Sequence, residues 1–173
     1  GKFFEVRNNQ VFYLSDNELE TEITQVYSSL PRCNPPQIPD NISYLYSLYL
    51  QEREKYQRCV SARNIRLENF VYDNGNYIVS FSDEDSLVYQ ANTSGLGENS
   101  RELKQNNSKF TQTLKGLNPN SNYIAFIVRP DSFETFRAAR QQAWNLGYDV
   151  GWEPFPQDRV LVFGSGGRSV GVQ

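Results

Sequence analysis

Large apolar and polar side chains alternate through "KFFEVR" and again through "QVFYL", on either side of the pair Asn8-Asn9. Alternation with a period of two marks a strand, and Asn tolerates the positive φ of a tight turn, so the segment predicts a hairpin. Leu19, Ile23, Val26 and Leu30 then recur at helical spacing, with acidic residues in the first turn where the helix dipole favours them. Pro31 and Pro35-Pro36 mark the end of that helix. A second, Tyr-rich helical segment is predicted near 40–62, with Asp40 as its N-cap. Leu45, Leu48, Tyr49, Tyr56, Cys59 and Val60 form its apolar face, and Tyr44, Tyr46 and Leu50 fall off that face.

"IRLENFVYDNGNYIVSFSDEDSLVYQ" reads as strands turning at Asn74-Gly75, with a third strand from Leu87 to Gln90. The Asn-, Ser- and Gly-rich stretch 91–107 predicts a mobile loop with one short helix near Arg101 to Gln105. Ser108 caps a helix anchored by Phe110, Leu114 and Leu117 and stopped by Asn118-Pro119. From Tyr123 to Val128 a short apolar run has the length of a buried strand. Asp131 and Glu134, three residues apart, predict a capping box for the next helix, whose covered face is Phe133, Phe136, Ala139, Ala143 and Leu146. Gly147 ends it as a left-handed C′ residue. "YDVGWEPF" and "RVLVF" are the last strands, and a flexible Gly-rich tail follows over 164–173. The chain is thus expected to be α+β: one domain over 1–173, a mixed sheet with hairpins and a C-terminal βαβ unit, and helices packed on one face.

Composition narrows the chemistry. The 173 residues include no His and carry a net charge of −3. An acidic chain has no field to condense on phosphates, so nucleic acid is not an expected partner, even though the β-α-β order around "YIAFIV" faintly resembles an RNA-binding sheet. Without His, the Ser-His-Asp and Cys-His arrangements are absent. Carboxylate routes remain open: Asp83, Glu84 and Asp85 as a cation or catalytic cluster, or Glu134 and Glu153 as an acid–base pair about a sugar. Solvated turn charges and helix-cap charges are the plainer reading of both. The glycines of the tail lack the Gly-Lys-Ser/Thr of a phosphate loop. No catalytic residue, cofactor or metal ligand is therefore assigned. Two cysteines without His do not make a zinc site; Cys33 and Cys59 either close a disulfide or stand as separate thiols. Arg129 and Asp131, flanking Pro130, are expected to pair locally and fix the turn. Eleven tyrosines serve core edges or contact surfaces, and Tyr44, Tyr46 and Leu50 are the candidate interface.

Two stretches carry a family likeness. "KFFEVRNNQVFYL" and "YIAFIVRPDSFETFRAARQQAWNLGYDVGWEPF", with its "VRPD" and Gly-aromatic-Glu-Pro, resemble the ends of a set of bacterial proteins similar to the periplasmic part of ExbD and TolR. Those are the single-span partners of ExbB/TolQ/MotA-type proton channels. The middle of the chain has no counterpart in this likeness. The resemblance implies a non-enzymatic domain on the periplasmic side of the inner membrane, anchored by a helix ahead of Gly1. It also implies a homo-oligomer that touches a channel subunit through that helix, and a periplasmic partner or the cell wall. A chain without Met is expected to be a piece or processed form of such a protein. The family's working carboxylate lies on the membrane helix, so no proton chemistry is expected here. A soluble binding module or adaptor with no motor is the alternative, and a carboxylate-based glycan hydrolase a third.

Overall fold

A computed structural model of the chain describes residues 1–40 and 42–164, and the side chains of residues 42–44 lie outside that description. The first sheet contains β1 (Lys2–Arg7), β2 (Gln10–Tyr13), β6 (Ile124–Val128) and β7 (Val150–Pro154), in the order β2-β1-β6-β7. β1 and β2 form the expected antiparallel hairpin, and Asn8 and Asn9 both sit at φ 51 in its turn. β6 runs parallel to β1 and to β7, and α4 (Phe133–Asn145) connects β6 to β7 as a crossover. Gly147, at φ 86, ends α4 as expected.

Side chains alternate across this sheet and build two cores. Phe4, Val6, Val11, Ile124, Phe126, Val128 and Val150 face α4 and α3 (Lys109–Lys115), where Phe136, Ala139, Ala143, Phe110 and Leu114 meet them. Ala139 and Ala143 of α4 are fully buried, so the helix lies close against the strands. Phe12, Leu14 and Ile127 point the other way and meet Tyr77, Val79 and Leu161 of a second sheet. That sheet is antiparallel, in the order β3-β4-β5-β8, from β3 (Val71–Asp73), β4 (Tyr77–Asp83), β5 (Ser86–Ala91) and β8 (Leu161–Gly164). The layers are therefore helix, mixed sheet, antiparallel sheet. The α+β class is as expected. β8 joins the second sheet at its edge by pairing with β5, rather than continuing beside β7.

The stretch 91–107 is tied down rather than loose. Glu98 bonds through its backbone to Val11, and its carboxylate accepts from the backbone N–H groups of Lys109 and Phe110 at the start of α3. Leu103, in a 3-10 turn over Glu102–Lys104, is buried in the helix-side core. Ser108 caps α3 by accepting from the Thr111 N–H at 3.2 Å. Gly164, assigned to the tail by the sequence, closes β8, and the rest of the predicted tail, residues 165–173, lies outside the described residues.

The helices of the middle region differ from one another. α1 (Asn17–Ser29) is capped by Asp16 and buries Leu19 in the inter-sheet core. α2 (Ile42–Glu68) runs six residues beyond the predicted end, so "IRLE" is helix, not strand. Asp40 is not part of a described cap, because Asn41 lies outside the described residues. At 27 residues α2 is about 40 Å long. Its C-terminal end is fastened: Leu67 is buried, Arg63 donates to the Pro31 carbonyl at 3.1 Å and pairs with Glu84, and Arg66 donates to the Ser29 carbonyl. Cys33 and Cys59 are joined in a disulfide across 26 residues of sequence, which decides between the two readings of these cysteines. From Leu45 to Lys55 only Tyr49 is part-covered.

A loop of that length loses about 3.5 kcal/mol of unfolded-state entropy when cross-linked. Thermal unfolding with and without reductant should therefore show a lower midpoint for the reduced chain and for the Cys33→Ser/Cys59→Ser variant. Identical midpoints would mean the crosslink contributes nothing to the fold.

Candidate functional site

Glu5 occupies the middle of β1 on the face turned toward the second sheet, opposite Ile127 of β6. A carboxylate there is expensive to bury unless each lone pair is met by a donor. Glu5 is 1% exposed and accepts from three side chains: the Tyr77 hydroxyl at 2.7 Å, the Arg129 guanidinium at 2.8 Å and Arg7 Nε at 3.0 Å. Each donor comes from a different place. Tyr77 opens β4, Arg129 follows β6, and Arg7 lies two residues along the same face of β1. Arg129 also donates from Nη1 to the carbonyls of Pro156 and Arg159, tying down the chain after β7. Its guanidinium lies 4.8 Å from the Phe155 ring, and that of Arg7 lies 3.8 Å over Phe12. Burial, then the Glu5 charge and hydrogen bond, push the Tyr77 phenol well above its ordinary value, with nearby Arg7 pulling partly back.

A cleft of about 580 Å³ opens beside this cluster. Arg7, Arg129 and Arg159 line it together with Asn8, Gln10, Gln90 and Gln157, and its carboxylates are Glu5 and Asp158. Glu5 is the point on which donors from three parts of the chain converge. A second hollow, of about 510 Å³, lies under α1 with an apolar floor including Phe3, Leu19, Leu87 and Phe163, and Asp16, Glu20 and Asp85 among its other residues.

The predicted site residues are dispersed. Arg129 does not pair with Asp131; its partner is Glu5, 124 residues away, because the end of β6 directs the side chain into the space between the sheets. Asp131 instead accepts from Ser132 Oγ at 2.7 Å and from Gln157 Nε2 at 3.2 Å. The capping box of Asp131 and Glu134 does not form: Ser132 holds the N-cap position without a side-chain cap bond, and Glu134 is an exposed first-turn acid. Ser132 Oγ accepts from the Asn9 N–H at 3.0 Å, and Thr135 donates to the Asn9 carbonyl at 2.8 Å, so the start of α4 clamps the β1–β2 turn. Glu134 begins α4 on one face of the mixed sheet, whereas Glu153 alternates with Trp152 and takes the other, so the two do not share a cleft. Asp83, Glu84 and Asp85 form the β4–β5 turn, and among the described residues no group of three His, Cys, Asp or Glu is placed to hold a metal. Tyr46 and Leu50 lie on the outlying half of α2, and the side chain of Tyr44 lies outside the described residues.

Sequence reasoning passed over Glu5, Arg7 and Tyr77. One signal was present: Phe3, Glu5 and Arg7 share a face by alternation, so a strand with both faces covered carries a charge pair where apolar residues are usual. No protein-family model, curated protein or solved structure matches the chain. Among the described residues no helix is long and apolar enough to cross a membrane.

Removing Glu5 leaves two largely buried guanidinium groups without their counter-charge, so Glu5→Ala should cost about 3–5 kcal/mol in urea unfolding. Tyr77→Phe, which removes one donor, should cost about 1 kcal/mol. Equal and small losses in both would remove Glu5 from its central place. Alkali supplies a second test. The folded state holds the Tyr77 proton above its ordinary 10.0, so stability is complete below that pH and falls as pH rises from there toward the folded value. Tyr72 and Tyr89, pushed up to about 12 chiefly by burial with help from Asp16, add to the fall. The slope of stability against pH above 10 should flatten in Tyr77→Phe, and an unchanged slope would exclude Tyr77 as a contributor.

Proposed function

We propose that this chain is a non-catalytic, ExbD/TolR-like recognition domain of an envelope energy-transducing complex, acting by self-association and contact with a partner. The observation that carries the reading is where the two family-like stretches lie. Lys2–Leu14 and Tyr123–Phe155 are separated by more than a hundred residues, yet they supply β1, β2, β6, α4 and β7, the whole mixed sheet with its crossover helix. The stretch between them, with no counterpart in the likeness, contributes α1, α2 and three strands of the second sheet as an added module, and also the 3-10 turn and α3, which pack on the mixed sheet. Two more features support the reading. A disulfide suits an oxidising compartment such as the periplasm. The framework also offers surfaces held by a buried hydrogen-bonded cluster about Glu5.

On this reading the domain stands on the periplasmic side of the inner membrane beside an ExbB/TolQ/MotA-type channel subunit. The outlying half of α2 is the contact between copies. Leu45, Tyr46, Leu48 and Leu50 are 38–53% exposed, an apolar concentration that a solvated helix gains nothing by carrying. Glu52–Lys55 and Glu54–Arg58 pairs support the helix next to them without covering it.

Sedimentation equilibrium of the chain should show a reversible dimer, and Tyr46→Ser/Leu50→Ser should weaken it by about tenfold or more. A wild-type chain that stays monomeric across the accessible concentration range, or a variant that associates as well, would overturn α2 as the contact. In the monomeric case a soluble adaptor becomes the better reading.

A further inference from the structure

The cleft beside Glu5 has features that scaffolding alone does not require. Glu5 is a single carboxylate between two guanidiniums, so the buried cluster of Glu5, Arg7 and Arg129 holds one positive charge more than it neutralises. Over the whole lining, three arginines stand against two acids, Glu5 and Asp158, which gives the same surplus of one. Arg7 Nη2 is buried and has no hydrogen-bond partner among the described residues, although its Nε is held by Glu5 and its plane lies over Phe12. The Arg7 side chain as a whole is 12% exposed and lines the cleft, so an incoming oxyanion meets the accessible edge of this surplus-positive guanidinium.

The remaining walls indicate what that oxyanion is attached to. Asn8, Gln10, Gln90 and Gln157 line the cleft, and each side-chain amide can donate and accept, which matches the donor and acceptor of a peptide group. Arg129 is engaged by Glu5 and by the carbonyls of Pro156 and Arg159, so it holds the site in shape and leaves recognition to Arg7 and the exposed Arg159. We infer that this cleft is a binding site for the carboxylate of a small, amide-bearing, peptide-like ligand, seated by Arg7 and Arg159 with the amides alongside. The ligand sits between the turn of the β1–β2 hairpin, the end of β5 and the segment after β7. It is therefore remote from the α2 contact and independent of the dimer.

The test is a titration of the ¹⁵N-labelled chain with N-acetyl-triglycine, with its C-terminal amide and with inorganic phosphate. The free-carboxylate peptide should move the amide signals of Arg7, Gln10, Gln90 and Arg159 saturably, and the amidated peptide should move them at least tenfold more weakly. Arg159→Gln, a change at an exposed position that leaves the Glu5 cluster intact, should weaken the free-carboxylate peptide by about tenfold. Arg7→Lys, which keeps the charge and loses the planar fork, should weaken it as well. Equal shifts from both peptides, a response to phosphate with none to the peptides, or unaltered binding by Arg159→Gln would each overturn the assignment. Because sedimentation reads α2 and the titration reads the cleft, failure of one is distinguishable from failure of the other.

Discussion

The fold turns on one buried carboxylate. Glu5 lies in the central part of the mixed sheet, faces the antiparallel sheet and is met there by Tyr77, Arg7 and Arg129. Its burial is offset by these three donors together, so the position of the second sheet, the course of the chain after β6 and the start of β4 are linked through it. Apolar contacts between Phe12, Ile127, Val79 and Leu161 supply area but little direction, since greasy surfaces can slide. A charge that must be met at hydrogen-bond distance does not permit sliding. Replacing such a network by apolar residues of similar volume can even stabilise a fold, so its role here is registry more than raw stability.

That constraint also governs the long stretch of chain between β2 and β6. That stretch returns a strand, β4, whose first residue carries the hydroxyl that Glu5 needs, and the chain after β7 returns another, β8, to the same sheet. Both crossings are pinned by the cluster: Tyr77 from one side, Arg129 with the Pro156 and Arg159 carbonyls from the other. The disulfide and the Arg63 and Arg66 contacts then hold the far end of that stretch, so α2 is presented from a fixed base rather than from a loop. The same cluster forms the floor of the cleft, which gives scaffold and recognition surface a common origin.

Local rules made much of this legible. The Asn8-Asn9 turn, the Ser108 cap, the Gly147 terminus and the βαβ unit are each set by neighbours in sequence, and each stands where local chemistry puts it. Ile65 to Glu68 were misjudged because β-branched and charged residues read as strand or helix alike, and only burial of Leu67 against the body continues the helix. The pairing of Arg129 was misassigned for a different reason. An Arg two residues from an Asp invites a local pair, whereas the actual partner is supplied by parallel strand pairing between the two ends of the chain. Asp131 likewise met a closer donor in Ser132 and ceded the cap. The site was the least visible part, because Arg7, Gln90 and Arg159 come together only once the two sheets are stacked.

The most direct test of the Glu5 constraint is native-state amide hydrogen exchange followed against denaturant. If the cluster couples the sheets, the slowest amides of β1 and β6 and those of β4 and β5 share one opening free energy and one denaturant dependence, equal to the global unfolding transition. If β3, β4, β5 and β8 open at a distinctly lower free energy while the mixed sheet stays closed, the two sheets are separate cooperative units and the buried carboxylate does not join them.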